Sequence, residues 1–240
     1  MTNLLAIDTS SAWCSVALSL NNAEPLLRHQ KVSAGASQLI LPWVDELLTE
    51  GGIQLRELDG IAIGVGPGAF TGVRLGVAVV QGLATAVGLP VVPVASLDAI
   101  AAELVLSPSF IESQAQSFVV AIDARMNEVY WARYQVMPHQ IPQRLGEIIL
   151  SAPDQVQLME AQYVAGSAIN EFGKRLFAST PSPLPTSCQD ADIHITALGV
   201  LACGRALWSK GLRSDIHTLE PLYIRNKVAF THAERKQQNV

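Results

Sequence analysis

The stretch LLAIDTS at residues 4–10 decides the fold, because its pattern returns as FVVAIDAR at residues 118–125. In each copy an apolar strand ends in Ala-Ile-Asp, a short polar turn follows, and a second strand returns, over 15–20 and 128–136 respectively. A strand, turn and strand that open both halves of a chain predict two related lobes. We therefore expect an α/β protein with duplicated lobes.

The rest of the chain alternates short apolar strands with amphipathic helices. Gly51 with Gly52 ends one predicted helix, and Gly88 with Pro90 ends another, because glycine and proline interrupt helical hydrogen bonding. The pattern predicts five helices, at residues 39–48, 71–87, 97–106, 168–177 and 196–207, and further strands at 58–65, 91–94 and 163–167.

A polar stretch over residues 107–117 separates the two copies of the pattern and is typical of a connection between lobes. We therefore expect four parts along the chain. They are an N-terminal lobe over 1–106, a C-terminal lobe over 107–210, a segment over 211–232 that returns to the first lobe, and a flexible polar tail over 233–240.

The composition excludes several classes of protein. The chain has 240 residues, 49% of them hydrophobic and 15% charged, and this much apolar surface excludes disorder for most of it. The formal net charge of −5 is opposite to that of a protein that holds nucleic acid by its own surface, so contact with nucleic acid is expected only through a partner. Three widely separated cysteines, short apolar runs and a start without a basic leader predict a cytoplasmic protein with no membrane segment.

The residues that could carry chemistry leave two interpretations open. Asp8 and Asp123 follow the two strand endings, where each can cap its own turn or act with the other as a carboxylate pair. The turn GPGAFTGVR at 66–74 can be a bend that only glycine permits, or a helix start that offers N–H groups to an anion, with Arg74 one turn in. No Lys follows these glycines, and Ala69 stands where a dinucleotide fingerprint has its third glycine, so neither nucleotide motif is complete.

Four motifs together resemble the bacterial TsaB (YeaZ) family: AIDTSS at 6–11, GPGAFTGVR at 66–74, AIDAR at 121–125 and PLYIR at 221–225. The resemblance runs from about Leu4 to Ala229. It implies the two-lobed actin/Hsp70/sugar-kinase (ASKHA) fold, whose duplicated β-α lobes agree with the repeat.

The resemblance also implies a function. TsaB pairs with its paralogue TsaD, and with the ATPase TsaE the pair transfers a threonylcarbamoyl group to N6 of the adenosine beside the anticodon, in tRNAs that read ANN codons. We expect an accessory subunit that is not an enzyme by itself, with no catalytic residue, metal or tightly bound cofactor of its own. ATP or ADP is expected at the complex with TsaD and TsaE, tRNA contact is expected to be indirect, and the chain alone is expected to form a homodimer. The alternatives are a phosphotransferase or nucleotide-binding enzyme of the same fold and a protease acting on the paralogue.

The histidines separate this chain from TsaD, whose family binds its metal through two histidines one helical turn apart. No two histidines here lie three to five residues apart, so each is expected to be an ordinary surface or loop residue. The five are His29, His139, His194, His217 and His232.

The predicted helix 71–87 is apolar on two faces, so it needs a second neighbour besides its own sheet. The resemblance implies that this helix and 39–48 pack against the equivalent pair of TsaD or of a second copy. Ala36 stands where many relatives have His, which puts any contact at that position in doubt. The partner-binding candidates are Leu39, Ile40, Trp43, Val44, Leu47, Gly72, Gly76, Val79, Val80 and Leu83, and the candidates for nucleotide or phosphate binding are Asp8, Thr9, Ser10, Gly68 and Arg74.

Overall fold

The computed structural model describes residues 2–21, 23–32, 35–180 and 184–225, and it contains two five-stranded sheets. The first sheet has the order β3-β2-β1-β4-β5 and the second the order β10-β9-β6-β7-β8. The first is built from β1 (Leu4–Asp8), β2 (Trp13–Ser19), β3 (Leu26–Lys31), β4 (Gly60–Gly66) and β5 (Val91–Ala95). The second is built from β6 (Ser117–Asp123), β7 (Val129–Gln135), β8 (Gln143–Ser151), β9 (Tyr163–Ala165) and β10 (Gln189–Asp190).

The two sheets repeat one arrangement of strands. In the first, β1 pairs antiparallel with β2 and parallel with β4. In the second, β6 pairs antiparallel with β7 and parallel with β9. The α/β class and the duplication predicted from the two Ala-Ile-Asp stretches are therefore confirmed.

Six α-helices stack with the sheets in layers within the described residues. Helices α1 and α2 cover the outer face of the first sheet, α3 and α6 lie between the sheets, and α5 covers the outer face of the second. Their bounds are α1 (Ala36–Glu50), α2 (Phe70–Val87), α3 (Ser96–Leu104), α4 (Pro108–Ser113), α5 (Ala168–Phe172) and α6 (Ala197–Ser209).

The strand periodicity of β1 explains why its sheet is covered on both faces. Successive side chains of a strand point to opposite faces, and all five residues of β1 are buried. Leu5 and Ile7 pack in the cluster that contains α1 and α2, whereas Leu4 and Ala6 pack in the cluster that contains α3 and α6. A strand without a polar face must be central, and β1 is the central strand of its sheet.

Helix α6 packs on the first sheet, although it lies within the 107–210 segment predicted as the second lobe. Two glycines permit the close approach. A Cβ at Gly204 would lie 2.7 Å from the Cβ of Ala62, and a Cβ at Gly199 would overlap the carbonyl of Ala99. The middle layer therefore binds the two sheets into one core.

The described part of the predicted return segment, residues 211–225, contacts the first lobe at three places. Ser214 exchanges backbone hydrogen bonds of 2.8 and 3.1 Å with Val91. The side chain of Gln81 donates to the Leu219 carbonyl at 3.0 Å, and the Leu222 N–H donates to the Val65 carbonyl at 2.8 Å. Residues 226–232 and the predicted tail 233–240 lie outside the described residues.

Several local predictions differ from the structure. Strands β3 and β8 have no predicted counterpart, and the predicted connection contains α4, whose N-cap Ser107 accepts the Phe110 N–H. The predicted helix 168–177 is wrong in length, because α5 ends at Phe172 before Gly173, whose φ of +48° leaves the helical region. Ser96 is the first residue of α3 rather than its N-cap, and its hydroxyl bonds to that of Ser10.

Candidate functional site

A cleft with a volume of about 830 Å³ opens where the two strand-turn-strand units face each other. Its walls come from the β1–β2 turn, the glycine turn before α2, the β6–β7 turn and the C-terminal segment 221–225. The carboxyl ends of β1 and β6 meet here because the duplicated units face each other across the middle helix layer.

Asp8 lies at the end of β1 with 0% of its surface exposed. Its Oδ2 accepts the Ser10 N–H at 3.1 Å, and its Oδ1 has no partner within the described part of the chain. The backbone of Gly64 packs against Oδ1, where a Cβ would overlap it. Burial raises the pKa of Asp8 to about 7. The carboxyl group therefore faces protein rather than the cleft and carries its proton at mildly acidic pH.

Asp123 occupies the equivalent place at the end of β6. Its Oδ1 accepts the Arg125 N–H at 2.7 Å, and its Oδ2 lies 3.1 Å from the Arg125 guanidinium. Both aspartates therefore accept the N–H two residues further along the chain, which is the turn-capping contact of the first interpretation. The Asp123 N–H donates to Ser167 Oγ at 3.0 Å, which ties this turn to the end of β9.

The glycine turn before α2 packs against the chain's own backbone. The Ala69 N–H donates to the Ser10 carbonyl at 2.6 Å, and the Thr9 hydroxyl donates to the Gly72 carbonyl at 2.7 Å. A Cβ at Gly68 or Gly72 would overlap the carbonyl oxygens of Ser10 and Thr9 respectively. Glycine is required here by close packing between two turns, and the Ala69 N–H is not free to bind an anion.

The five candidates for nucleotide binding do not converge on one point. Ser10 and Gly68 line the cleft, whereas Asp8 and Thr9 are buried behind it. Arg74 is exposed and its guanidinium lies 3.2 Å from the centre of the Phe70 ring. Nucleotide binding by this chain stays a prediction, and the arrangement does not fit a phosphate cradle of the kinase type.

The partner-binding candidates fall into two groups. Five are enclosed by their own lobe and are unavailable to a partner at the surface: Ile40, Val44, Leu47, Gly76 and Val80. Gly76 illustrates the cause, because it packs on Thr9 of the β1–β2 turn and on Ile63 of β4. The other five are half-buried and form the accessible part of the α1–α2 face: Leu39, Trp43, Gly72, Val79 and Leu83.

Helix α2 leaves much of its apolar surface uncovered. Only five of its eighteen residues are buried, and Arg74 is its one charged residue. Beside the half-buried Val79 and Leu83 lie the exposed small residues Ala78, Gly82 and Ala86. By length and composition alone this helix could also span a membrane, a test that core helices of globular domains pass as well. Its buried valines pack on the sheet, so the remaining apolar face is a candidate contact surface.

One cluster was missed by sequence reasoning. His29 and His194 lie 165 residues apart in the chain, yet their Nε2 atoms are 3.1 Å apart and both rings stack on Trp13. A search of the sequence for histidines three to five residues apart cannot find this pair, because β3 and the segment after β10 meet only in the folded chain. Among residues 2–21, 23–32, 35–180 and 184–225, no three His, Cys, Asp or Glu side chains form a group that could hold a metal ion.

Comparison with known proteins gives a consistent result. The family model described as "TsaD: tRNA N6-adenosine threonylcarbamoyltransferase" matches residues 30–232. The Haemophilus influenzae protein named tRNA threonylcarbamoyladenosine biosynthesis protein TsaB is 33% identical, over 95% of both chains. The Escherichia coli protein of the same name is 29% identical over 98% of this chain and 99% of its own. The chain belongs to the TsaB family.

The solved structure of YeaZ from Pseudomonas aeruginosa agrees with this assignment. It superposes with a TM-score of 0.80 at 33% identity and covers 93% of this chain and 100% of its own. The family model of TsaD also matches this chain, as is expected if TsaB and TsaD are paralogues that share one fold. The resemblance stated on the four sequence motifs is therefore confirmed.

Proposed function

We propose that this TsaB-family chain is a non-catalytic partner of TsaD in tRNA threonylcarbamoyladenosine synthesis. With TsaE, the complex transfers a threonylcarbamoyl group to N6 of the adenosine beside the anticodon in tRNAs that read ANN codons. The chain itself supplies no catalytic residue or metal ligand. It works in the cytoplasm, associates with no membrane, and meets tRNA only through the complex.

The uncovered face of α1 and α2 is the observation that carries this proposal. Four large apolar side chains on this face are half-buried in the isolated chain: Leu39, Trp43, Val79 and Leu83. The small residues Ala78, Gly82 and Ala86 lie beside the last two. Small residues let a second helix approach closely, and burial of the apolar side chains then supplies the free energy. A TsaD helix pair is the proposed occupant, and a second copy takes its place when TsaD is absent.

The cleft supports an accessory role in a second way. The Asp8 carboxylate is turned away from the cleft, and the Ala69 N–H is bonded to the chain's own Ser10 carbonyl. We propose accordingly that the chain holds no tightly bound cofactor, and that ATP or ADP binds at the complex with TsaD and TsaE.

A reconstitution tests the proposal. Unmodified tRNA, threonylcarbamoyl-adenylate, TsaD, TsaE and ATP are combined with and without this chain, and the modified adenosine is quantified by mass spectrometry. We expect modification to require the chain and to survive Asp8→Asn. Modification that proceeds equally well without the chain would exclude the partner role, and loss of modification in Asp8→Asn would favour the enzyme of the same fold.

The interface is tested by Leu83→Glu, which places a charge on the half-buried apolar face. A loss of about 2 kcal/mol at an interface centre weakens binding by roughly 30-fold, so the Kd for TsaD is expected to rise by that order in calorimetric titration. The matched control is Ile111→Glu on α4, which makes the same apolar-to-acidic change at a side chain that is 60% exposed. Equal affinity of Leu83→Glu and wild type for TsaD would contradict the proposed face. Val80 is unsuitable for this test, because it is fully buried and its substitution perturbs the core.

A further inference from the structure

Three aromatic rings from separate elements stack beside the cleft: Trp13 at the start of β2, His29 on β3, and His194 between β10 and α6. The two imidazoles lie 4.6 and 4.3 Å from the indole, within 11° of parallel to it. Their own centroids are 5.3 Å apart and their Nε2 atoms 3.1 Å apart. The cluster joins the edge of the first sheet to the segment that leaves the second sheet.

The geometry identifies the contact as a hydrogen bond. The centroid separation is close to the Nε2–Nε2 distance plus the radii of two imidazole rings, so the two nitrogens point at each other almost head-on. A metal ion needs about 2.0–2.1 Å to each nitrogen, and there is no room for one on this line. One ring must therefore donate an N–H and the other must accept it.

The neighbouring contact fixes which ring donates. His194 Nδ1 lies 2.9 Å from the Asp192 carbonyl oxygen, and a carbonyl can only accept. His194 therefore carries its proton on Nδ1 and accepts at Nε2, so His29 donates from Nε2. The remaining nitrogen, His29 Nδ1, is an acceptor that is buried without a partner in the described chain. Both imidazoles are neutral in this arrangement.

The number of protons on the four ring nitrogens of His29 and His194 shows how a lower pH affects their hydrogen bond. Two of the four ring nitrogens already hold the two protons that the contacts use. A third proton can enter without breaking the Nε2–Nε2 bond only at His29 Nδ1, which is buried and faces no acceptor. Burial of an unpaired charged donor raises the free energy of the folded state. Protonation therefore either breaks the Nε2–Nε2 hydrogen bond or strains the structure around His29.

The charged groups on β3 do not offset this cost. Arg28 is engaged by Glu46 and Glu50 of α1 at 3.1 and 2.8 Å, and Lys31 is exposed. On β2 the residue paired with His29 is the uncharged Ser15, whose hydroxyl accepts the first N–H of α6.

The acidic groups of the segment after β10 are also engaged elsewhere. Asp190 Oδ1 accepts the N–H groups of Asp192 and Ile193, and Asp192 Oδ1 lies 3.3 Å from the Asn170 amide. Burial first, and the neighbouring His194 second, lower the pKa of His29 below its usual value.

We propose that Trp13, His29 and His194 form an acid-sensitive latch that holds the segment between the second sheet and α6 against the edge of the first sheet. The latch is closed when both histidines are neutral. A folded state with a lowered histidine pKa keeps its full stability above the unfolded value of 6.5 and loses it as the pH falls from there through the folded value. Acidification therefore loosens the wall of the cleft that Trp13 and His194 line.

The tautomers are the first test. Long-range 1H–15N correlation on the full chain labelled at histidine nitrogens is expected to show His194 protonated at Nδ1 and His29 at Nε2 at pH 7.5. The reverse tautomers, or a fast mixture at both rings, would overturn the latch. This measurement uses the wild-type chain and does not depend on a variant that folds.

The pH response is the second test, read as the thermal midpoint at pH 7.5 and pH 5.0. His29→Gln keeps a donor to His194 but cannot take up the third proton. We therefore expect its midpoint to fall by ~2–4 °C less than that of wild type, the shift typical of about fivefold in the unfolding equilibrium for a chain of this size. Other titrating groups contribute equally to both proteins. His139→Gln, at an exposed histidine, is the control and is expected to behave as wild type. Equal pH responses of His29→Gln and wild type would exclude the latch.

Discussion

Asp8 and Asp123 occupy equivalent positions in the two lobes and make the same bond to the N–H two residues on, yet their surroundings differ. The side chain of Asp123 keeps 12% of its surface exposed and pairs with Arg125. Asp8 is fully buried, faces Gly64 and has no basic partner among the residues that the structure describes. Burial without a cation favours the neutral acid. Two copies of one motif can thus place a carboxyl group beside an arginine in one lobe and in a fully buried site in the other.

The environment of Asp8 predicts a pH-dependent stability. Its pKa is about 7 in the folded chain against 3.8 in the reference state, so its contribution is complete below 3.8 and is lost as the pH rises through 7. Asp8→Asn keeps the neutral shape at every pH. We expect its thermal midpoint to exceed that of wild type at pH 8 by ~2–4 °C or more, and the gap to narrow at pH 5 and to close only below pH 3.8.

Asp45→Asn, at an exposed position on α1, is the control for this measurement. Its midpoint is expected to follow that of wild type across the range. A pH profile of Asp8→Asn parallel to wild type would show that the buried carboxyl group carries no such cost.

Two of the three glycines in α2, Gly72 and Gly82, differ in what surrounds them. At Gly72 a Cβ would overlap the Thr9 carbonyl oxygen, well inside the 3.0 Å that real Cβ atoms keep. At Gly82, ten residues along the same helix, a Cβ would meet nothing within 4 Å. The first glycine is required by close packing on the β1–β2 turn, and the second only weakens the helix.

Alanine at these two positions is therefore expected to have opposite effects. Gly72→Ala must push the turn and α2 apart and is expected to lower the free energy of unfolding by about 2 kcal/mol or more. Gly82→Ala is expected to raise it by about 0.5–1 kcal/mol, the helix preference for alanine. Urea denaturation of both variants measures the difference, and a stable Gly72→Ala would contradict the packing described.

The elements differ in how well the sequence predicts them. The buried strands and α2 were predicted within a few residues, because apolar runs and glycine stops are local signals. Strand β3 was missed because its outer half, Arg28 to Lys31, is polar and lies at a sheet edge, where side chains reach water. The packing of Gly76 on Thr9 and Ile63 was also missed. Periodicity shows that a helix face is apolar, but it does not show which residues cover that face.

At the scale of the molecule, the C-terminal segment ties the two lobes together. Leu222 bonds to Val65 of the first sheet, and three residues later Arg225 donates to the Ala124 carbonyl at 3.1 Å and to Glu128 at 2.5 Å. The two contacts lie on opposite sides of the cleft. The sequence predicted contact with the first lobe only, because nothing local indicates that Arg225 reaches the β6–β7 turn.

Loss of this tie is expected to loosen the β6–β7 turn. A hydrogen bond to a charged group contributes ~1.5–3 kcal/mol, so in Arg225→Ala the Ala124 amide, bonded to the Glu128 carbonyl, is expected to exchange its hydrogen about tenfold faster or more. Arg56→Ala, at an exposed arginine of the first lobe, is the control for hydrogen–deuterium exchange. Unchanged exchange at residues 124–128 in Arg225→Ala would show that the segment does not hold this turn.

The position of α6 has a consequence for the growing chain. Leu4 and Ala6 of β1 are covered by a helix that begins about 190 residues later. At ~5–20 residues per second, the ribosome needs roughly 10–40 s to make that stretch. Throughout this interval the inner face of the first sheet lacks the part of its cover that α6 supplies, so apolar surface of β1 stays exposed on the nascent chain until residue 209 leaves the exit tunnel.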